Sequence, residues 1–323
     1  MRVLVTGASG LLGREVARLL VRQGHAVTTF QRRSADVEGG TDLAGSITDD
    51  DAVRRAVAGA EGVVHLAAKV SFTGQTAEFD AVNVEGTRRL LRAAREAGVL
   101  DLVFVSSPSV ANSGAAIAGL GAEPADPARA HGDYSRTKAE AELLALAADS
   151  PEFSVAAVRP HIVWGPGDTQ LVERVLDRAG RRQLPLLDAG AALIDTTYVD
   201  NAASAIVAAL HRMEHIHGRA LVVSNGEPRP VGELLAGICA AGGVPAPSWS
   251  VPGGLARTAG SLLEKVWTRA GRAGEPPMTR FLAEQLSTAH WYDQRETRQL
   301  LNWVPAVSLD EGLARLAGHY RPQ

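Results

Sequence analysis

The 323-residue chain has one cysteine, Cys239, so no intrachain disulfide can staple it and a reducing compartment is the expectation. Aromatic residues make up only 5%, and charge is nearly balanced, with 33 Lys+Arg against 36 Asp+Glu. That balance leaves no basic footprint for nucleic acid. No stretch of about 18 uninterrupted apolar residues occurs, which excludes an apolar membrane-spanning helix. The first strand follows Met1 at once, with no room for a signal peptide, so the expected location is cytoplasmic. Internal repeats and low-complexity tracts are also missing. Tyrosine is scarce, at four residues, and lysine is rarer still. A Tyr and a Lys at a patterned spacing therefore carry information.

What is present starts at the N-terminus. Val3, Leu4 and Val5 form a short apolar run, as expected of a strand buried on both faces of a parallel sheet. Gly7, Gly10 and Gly13 follow at spacings of three. The first suits a tight turn, the second lets backbone approach a pyrophosphate, and the third lets a helix pack closely on its strand. The next helix carries Leu12, Val16, Leu19 and Leu20 on one face and Arg14, Arg18 and Arg22 on another. Its N-terminus offers free N–H groups and a positive dipole end to phosphates. An ordinary strand-to-helix turn is the plain alternative; the flanking strand and amphipathic helix favour a dinucleotide site.

The second strand, His25–Phe30, is followed by Gln31-Arg32-Arg33-Ser34. An NAD enzyme places an acid near this point for the adenosine 2′-hydroxyl. Gln31 takes that position, and two guanidiniums suited to a 2′-phosphate come next. NADP is therefore preferred, with NAD as the alternative and with Arg32 and Arg33 as plain surface charges the rival reading.

Tyr134 and Lys138 are four apart and share a helix face. A cation about 4 Å from a phenol, at an effective dielectric of about 20, is worth about 4 kcal/mol, or roughly three pKa units. The expectation is a phenol tuned for acid–base work near neutrality. A hydroxyl donor should accompany it. Ser106, Ser107 and Ser109 follow the strand Leu102–Val105, at the strand end where open α/β sheets bind ligands. Ser107 is preferred; Ser106 and Ser109 read equally as turn residues.

These pieces together resemble an extended short-chain dehydrogenase/reductase. The matching strings are Thr6-Gly7-x-x-Gly10-x-x-Gly13, His65-Leu66-Ala67-Ala68, Asn83-Val84-Glu85-Gly86-Thr87, Ser106-Ser107 and Tyr134-x-x-x-Lys138. Arg159-Pro160, Trp164-Gly165-Pro166-Gly167-Asp168 and Tyr198-Val199-Asp200-Asn201 complete the set. Ser107-Pro108-Ser109-Val110, Arg159-Pro160-His161 and Gly274–Phe281 are similar to the 3β-hydroxysteroid and sterol dehydrogenase branch, and most of all to the 2-alkyl-3-oxoalkanoate reductases of olefin biosynthesis. The resemblance implies that Tyr134 protonates a carbonyl oxygen, Lys138 lowers its pKa and binds the nicotinamide ribose, and Ser107 holds the carbonyl. It implies cofactor contacts at Gly7, Ser9, Gly10, Leu11, Leu12, Gly13, Gln31, Arg32, Arg33, Ser46 and Ile47. Further contacts fall at Ala67, Ala68, Lys69, Pro160 and Ile162, with Tyr134 and Lys138 themselves. Ser46 stands where the family has an adenine-contacting acid. Asn83 reads as a helix cap before Val84–Ala97. A homodimer is implied through Val84–Ala97 and Tyr134–Ala148, which carry aliphatic stripes.

Strands near Val63–Ala67, Leu102–Val105 and Val155–Val158 alternate with helices near Asp50–Ala58, Val84–Ala97 and Tyr134–Ala148. That alternation predicts an α/β fold: a Rossmann-type, doubly wound parallel sheet with a smaller, discontinuous C-terminal substrate domain. Residues 1–160 plus about 199–225 form the NADP-binding part, and about 161–198 and 226–323 the substrate part. Asn112–Asp133, rich in Gly, Ala and Pro, reads as a loop beside the pocket. Ser71, Phe72, Ser109, His161, Trp164, Leu193 and Ile194 are pocket candidates, each open to plain core packing. His211, His215 and His217 end a helix without a supporting ligand set, so no metal is expected. Residues 253–272 put Leu255, Ala259, Leu262, Leu263, Val266 and Trp267 at helical spacing beside Arg257, Lys265, Arg269 and Arg272. The segment reads as a docked helix, a flap over an apolar substrate, or a peripheral membrane contact. The functional expectation is an NADP-dependent enzyme interconverting a ketone and a secondary alcohol on an apolar, 3-oxo-acyl or sterol-like substrate. The rivals are a sugar-nucleotide epimerase or dehydratase and a non-catalytic NADP-binding sensor.

Overall fold

The computed structural model describes residues 1–71, 74–112, 114–269 and 279–321. Valine and leucine runs build its centre. The strands β1 (Arg2–Thr6), β2 (Ala26–Gln31), β3 (Thr41–Ala44), β4 (Gly62–His65) and β5 (Asp101–Val105) join Ser154–Pro160 and Ala220–Val223 in one sheet. The seven strands are parallel, in the order Ala220–Val223, Ser154–Pro160, β5, β4, β1, β2, β3. Successive residues point to opposite faces. Val3, Val5, Val64, Val103 and Val105 pack under the helices α1 (Leu11–Arg22) and Val199–His211. Leu4, Val63, Leu102 and Phe104 pack under α2 (Asp50–Val57), Gly86–Glu96 and Gly132–Ala147. Strands buried on both sides explain why their sequences show no polar alternation. Strand order reverses between β1 and β4, which opens a crevice at their C-terminal ends.

A smaller unit of aliphatic packing is assembled from distant segments. Arg229–Pro230, Leu193–Ile194, His290–Tyr292 and Ile117–Leu120 form a four-stranded sheet. Trp164, Val175, Leu184, Ile194, Leu234 and Leu235 belong to the core beside it.

Several elements differ from expectation. β3 and Ile117–Leu120 were not foreseen, because both are short and largely exposed and give no apolar signal. The helix expected at Val84 is already running before it: Thr76–Phe79 leads through a π-helical turn, Asp80–Glu85, into Gly86–Glu96. Asn83 lies inside that turn and caps nothing. The aliphatic stripes of Gly86–Glu96 and Gly132–Ala147 are turned into the core as Leu90, Leu91, Ala139, Ala141 and Ala145, leaving Arg88, Arg92, Arg95 and Leu143 outside. The helix Gly253–Arg269 docks on Arg280–Ser287 through small residues. A Cβ at Gly260 would lie 2.7 Å from the Thr279 backbone, and Ala256 packs with Leu187 and Ala283. Leu255, Leu262 and Val266 consequently face outward, at 65%, 59% and 59% exposure.

Candidate active site

The glycine turn sits at the crevice. Gly7 has φ +78°, and a Cβ there would lie 2.8 Å from the Ala67 backbone nitrogen. A Cβ at Gly13 would lie 2.4 Å from the Gly7 carbonyl oxygen, so only glycine lets α1 fold back over the turn. Gly10 precedes α1 with no side-chain cap, so the first N–H groups of the helix have no internal partner from that residue. The free N–H groups and close backbone approach of this turn fit a dinucleotide's pyrophosphate. Ser9 and Gly10 are exposed at its rim, while Leu11 and Leu12 lean on the adjoining aliphatic core.

A hydrogen-bond chain holds the floor. The Ala67 N–H donates to Thr6 Oγ1 (3.1 Å), which bonds His65 Nδ1 (2.7 Å). His65 Nε2 meets Thr87 Oγ1 at 3.0 Å, and Thr87 donates to the Asn83 carbonyl at 2.6 Å. The Ala67 N–H donor at one end and the Asn83 carbonyl acceptor at the other give one consistent tautomer, with the proton on Nε2. Burial, helped by the nearby Lys138 charge, pushes His65 down to about 3, so it is neutral. Asn83 accepts from the Lys69 N–H (2.7 Å) and donates to the Lys69 carbonyl (3.2 Å) and Thr137 Oγ1 (3.0 Å). It thus ties the Ala67–Lys69 segment to the helix that carries Tyr134. Ser46 bonds Thr48 locally, and Ile47 packs where a Cβ on Gly86 would be.

Tyr134 and Lys138 lie on Gly132–Ala147, four residues apart. The Tyr134 phenol shares the lining of one recess with Ser107, which accepts from the Ser109 N–H (3.3 Å) and lies 3.0 Å from Ser109 Oγ. Ser106 is buried away from this group. Lys138 is buried; its Nζ donates to the Val105 carbonyl at 2.7 Å and lies 4.1 Å from the centre of the Phe104 ring. The expected lowering of the phenol pKa by Lys138 is not what dominates. Burial pushes Tyr134 up to about 12, with Ser107 drawing it down, and burial pushes Lys138 down to about 7 against the pull of Glu142. The ammonium is engaged with the end of β5, and loss of water around both groups outweighs their mutual effect.

Beneath the helix, Arg159 and Glu142 form an ion pair at 1% exposure each, with Nε to Oε2 at 2.9 Å. Arg159 also donates to the Glu123 carbonyl at 2.7 Å. Pro160 ends the same strand, and Ile162 beyond it has φ +42°, a strained value for a β-branched residue.

Two recesses meet at Tyr134. One, of about 340 Å³, is polar, with His131, Asp133, Glu264, Arg280 and Glu284 among its walls. Glu284 joins His131 (3.1 Å) to Arg280 (2.8 Å). The other, of about 300 Å³, is mainly aliphatic and runs from Ser107 and Tyr134 past Ile194 and Leu184 to Leu234 and Leu286. Arg174 and Arg178 are its charged exceptions.

The family model described as the NAD dependent epimerase/dehydratase family matches residues 3–224. The chain belongs to that family. A relative from Stenotrophomonas maltophilia (strain K279a), named 2-alkyl-3-oxoalkanoate reductase, is 40% identical, covering 98% of each chain. The mouse sterol-4-alpha-carboxylate 3-dehydrogenase, decarboxylating, is 29% identical, covering 96% of this chain and 88% of its own. Among solved structures, MoeE5 in complex with UDP-glucose and NAD superposes with TM-score 0.76 at 26% identity, covering 99% and 98% of the two chains. The relatives of this epimerase/dehydratase-family chain are thus named as reductases and dehydrogenases, and its fold is that of NAD-binding proteins.

In this family member, Ser71, Ser109, His161 and Ile194, four of the pocket candidates, line the aliphatic recess. Trp164 does not: it is fully buried in the core, donating to Thr196 Oγ1 at 3.0 Å and stacking edge-on to Tyr198. Leu193 does not either; it is 40% exposed, because strand alternation turns its neighbour Ile194 inward. Phe72 lies outside the described residues, as do residues 270–278. The sequence reading missed Leu234, Leu282 and Leu286, which lie on helices but in none of the marked strings, and Leu184, which lies in a connecting segment. Among the described residues no group of three or more metal-ligating side chains converges, and no helix is long and apolar enough to cross a membrane.

Proposed function

We propose that the protein is an NADP-preferring ketoreductase or alcohol dehydrogenase acting on an apolar 3-oxo or 3-hydroxy compound. The observation that carries this is the presence of Tyr134 and Ser107 together at the mouth of the aliphatic recess. A carbonyl at that mouth has an acid and a hydroxyl donor beside it, and its hydrocarbon has Ile194, Leu234 and Leu286 to bury against.

The bound nicotinamide supplies or accepts the hydride. The glycine turn and the start of α1 would hold the pyrophosphate, Arg32 and Arg33 the 2′-phosphate, and Lys138 the nicotinamide ribose. Tyr134, protonated at neutral pH, donates its proton to the carbonyl oxygen as negative charge develops there. Ser107 donates to the same oxygen and orients it. Lys138, buried one turn along the same helix, stabilises the phenolate left behind. Asn83 fixes the helix against the Ala67–Lys69 segment through Thr137.

A nucleotide sugar would ask for polar partners along the cavity, whereas leucine and isoleucine dominate its wall. A sensor without turnover would have no use for a phenol, an ammonium and a hydroxyl gathered at one strand end. A homodimer is part of the same reading, formed through the outer faces of Gly86–Glu96 and Gly132–Ala147, where Leu143 is 44% exposed. The test is a panel of 2-alkyl-3-oxo acids, 3-oxosteroids and nucleotide sugars offered with NADPH and with NADH. Consumption of NADPH with the first two classes supports the reading; turnover of nucleotide sugars alone rejects it.

A further inference from the structure

The acid missing from the end of β2 is found one strand away. Asp42 on β3 is the register partner of Thr29. Its Oδ1 accepts from Thr29 Oγ1 and from Gln31 Nε2 at 2.8 Å. Its Oδ2 accepts from Ser34 Oγ and from the Ala35 N–H at 3.1 Å. A carboxylate offers about four acceptor positions, so donors from this chain fill all of them. Burial would raise its pKa, but the bonds from Ser34, Thr29 and the Ala35 and Asp36 backbone outweigh that and hold it below the usual carboxylate range.

Two consequences follow. Asp42 has no acceptor capacity left for a ribose hydroxyl, so it does not serve as the acid that selects NAD. Its donors also come from both sides of Arg32-Arg33: Thr29 and Gln31 before, Ser34 and Ala35 after. The backbone carrying the two arginines is wrapped around one anion. Both arginines are exposed, and among the described residues neither forms an ion pair. A loop held at both ends presents guanidiniums with less entropy to lose on binding.

We propose that Asp42 is a positioning residue for cofactor selection, clamping Gln31–Ala35 so that Arg32 and Arg33 are presented to the adenosine 2′-phosphate of NADP. This rests on the NADP reading above. It differs from that reading in assigning the selectivity to a carboxylate that never touches the cofactor.

The test is binding, without turnover. Titration calorimetry of the full chain with adenosine 2′,5′-bisphosphate and with 5′-AMP gives the ratio of the two affinities. The wild type should favour the bisphosphate. Asp42→Asn puts an NH₂ against donor groups and frees the loop; the bisphosphate affinity should fall roughly tenfold, about the worth of one charge-assisted contact, with 5′-AMP changed less than about twofold. In an Arg32→Ala/Arg33→Ala background, Asp42→Asn should change the ratio no further, since it acts through those side chains. If Asp42→Asn does not fold, as judged by its melt, Ser34→Ala carries the test and should lower the ratio in the same direction by less. A wild-type ratio in the folded variant overturns the proposal and leaves the NADP reading standing. So does an equal loss for both nucleotides, or an effect that persists without the arginines. A wild type that binds both nucleotides alike overturns the NADP reading, and this proposal with it.

Discussion

Arg159 and Glu142 form a buried, two-pronged ion pair directly below the helix that carries Tyr134 and Lys138. Arg159 comes from a strand of the parallel sheet and Glu142 from the Gly132–Ala147 helix, so the pair locks the phenol's helix to the sheet. Removing one partner strands the other charge in the core. Arg159→Met or Glu142→Leu alone should lower unfolding free energy by about 3–5 kcal/mol, whereas the two together should cost less than either single change. Chemical denaturation of the three variants measures this; a double variant less stable than both singles would contradict it.

His65 provides a pH-dependent test. Its folded pKa is about 3, against an ordinary 6.5. Between these values the unfolded imidazole binds a proton and the folded one does not, so stability rises with pH across that window. His65 therefore contributes fully above about pH 6.5 and progressively less as pH falls toward 3. Imidazole nitrogen resonances followed by NMR should show a neutral ring, protonated on Nε2, from pH 8 down to about 4.5. A titration near 6.5 would refute the Thr6–His65–Thr87 chain.

Much of the cofactor half was legible because its signals are local. Gly7, Gly10 and Gly13 fall at a fixed short spacing, with Gly13 held to glycine by the Gly7 carbonyl six residues before it, and Tyr134 and Lys138 share a face through helical period alone. Asp42 and Glu142 were not legible. Each acts across strands or from helix to sheet, and neither sits in a string that marks it. The substrate recess was read only in part for the same reason. Ile194 and Leu193 are adjacent and similar in sequence, and only strand register turns one inward. Trp164 reads as a pocket wall by type, yet its indole N–H finds Thr196 and keeps it in the core.

The recess should set substrate size. Leu282, on the helix Arg280–Ser287, lines it together with Leu286. Leu282→Trp would fill part of about 300 Å³. The Michaelis constant for long-chain 3-oxo acids should rise by roughly tenfold, on the scale of a few buried methylenes, while small ketones are little affected. An equal change for both would show that the chain binds elsewhere.

Assembly has its own test. If the outer faces of Gly86–Glu96 and Gly132–Ala147 meet across a two-fold axis, Leu143→Arg places charge in the interface twice. Light scattering at micromolar concentration should show a wild-type dimer and a monomeric variant. A wild-type monomer, or a variant dimer as stable as the wild type, would remove that interface.

The central claim is that Tyr134 gives the proton to a carbonyl held by Ser107. Tyr134→Phe keeps the ring and deletes the proton. NADPH absorbance followed with a 2-alkyl-3-oxo acid should show turnover reduced by at least about 10²-fold, with NADPH affinity unchanged in a separate titration. Turnover within a few-fold of wild type would contradict the account.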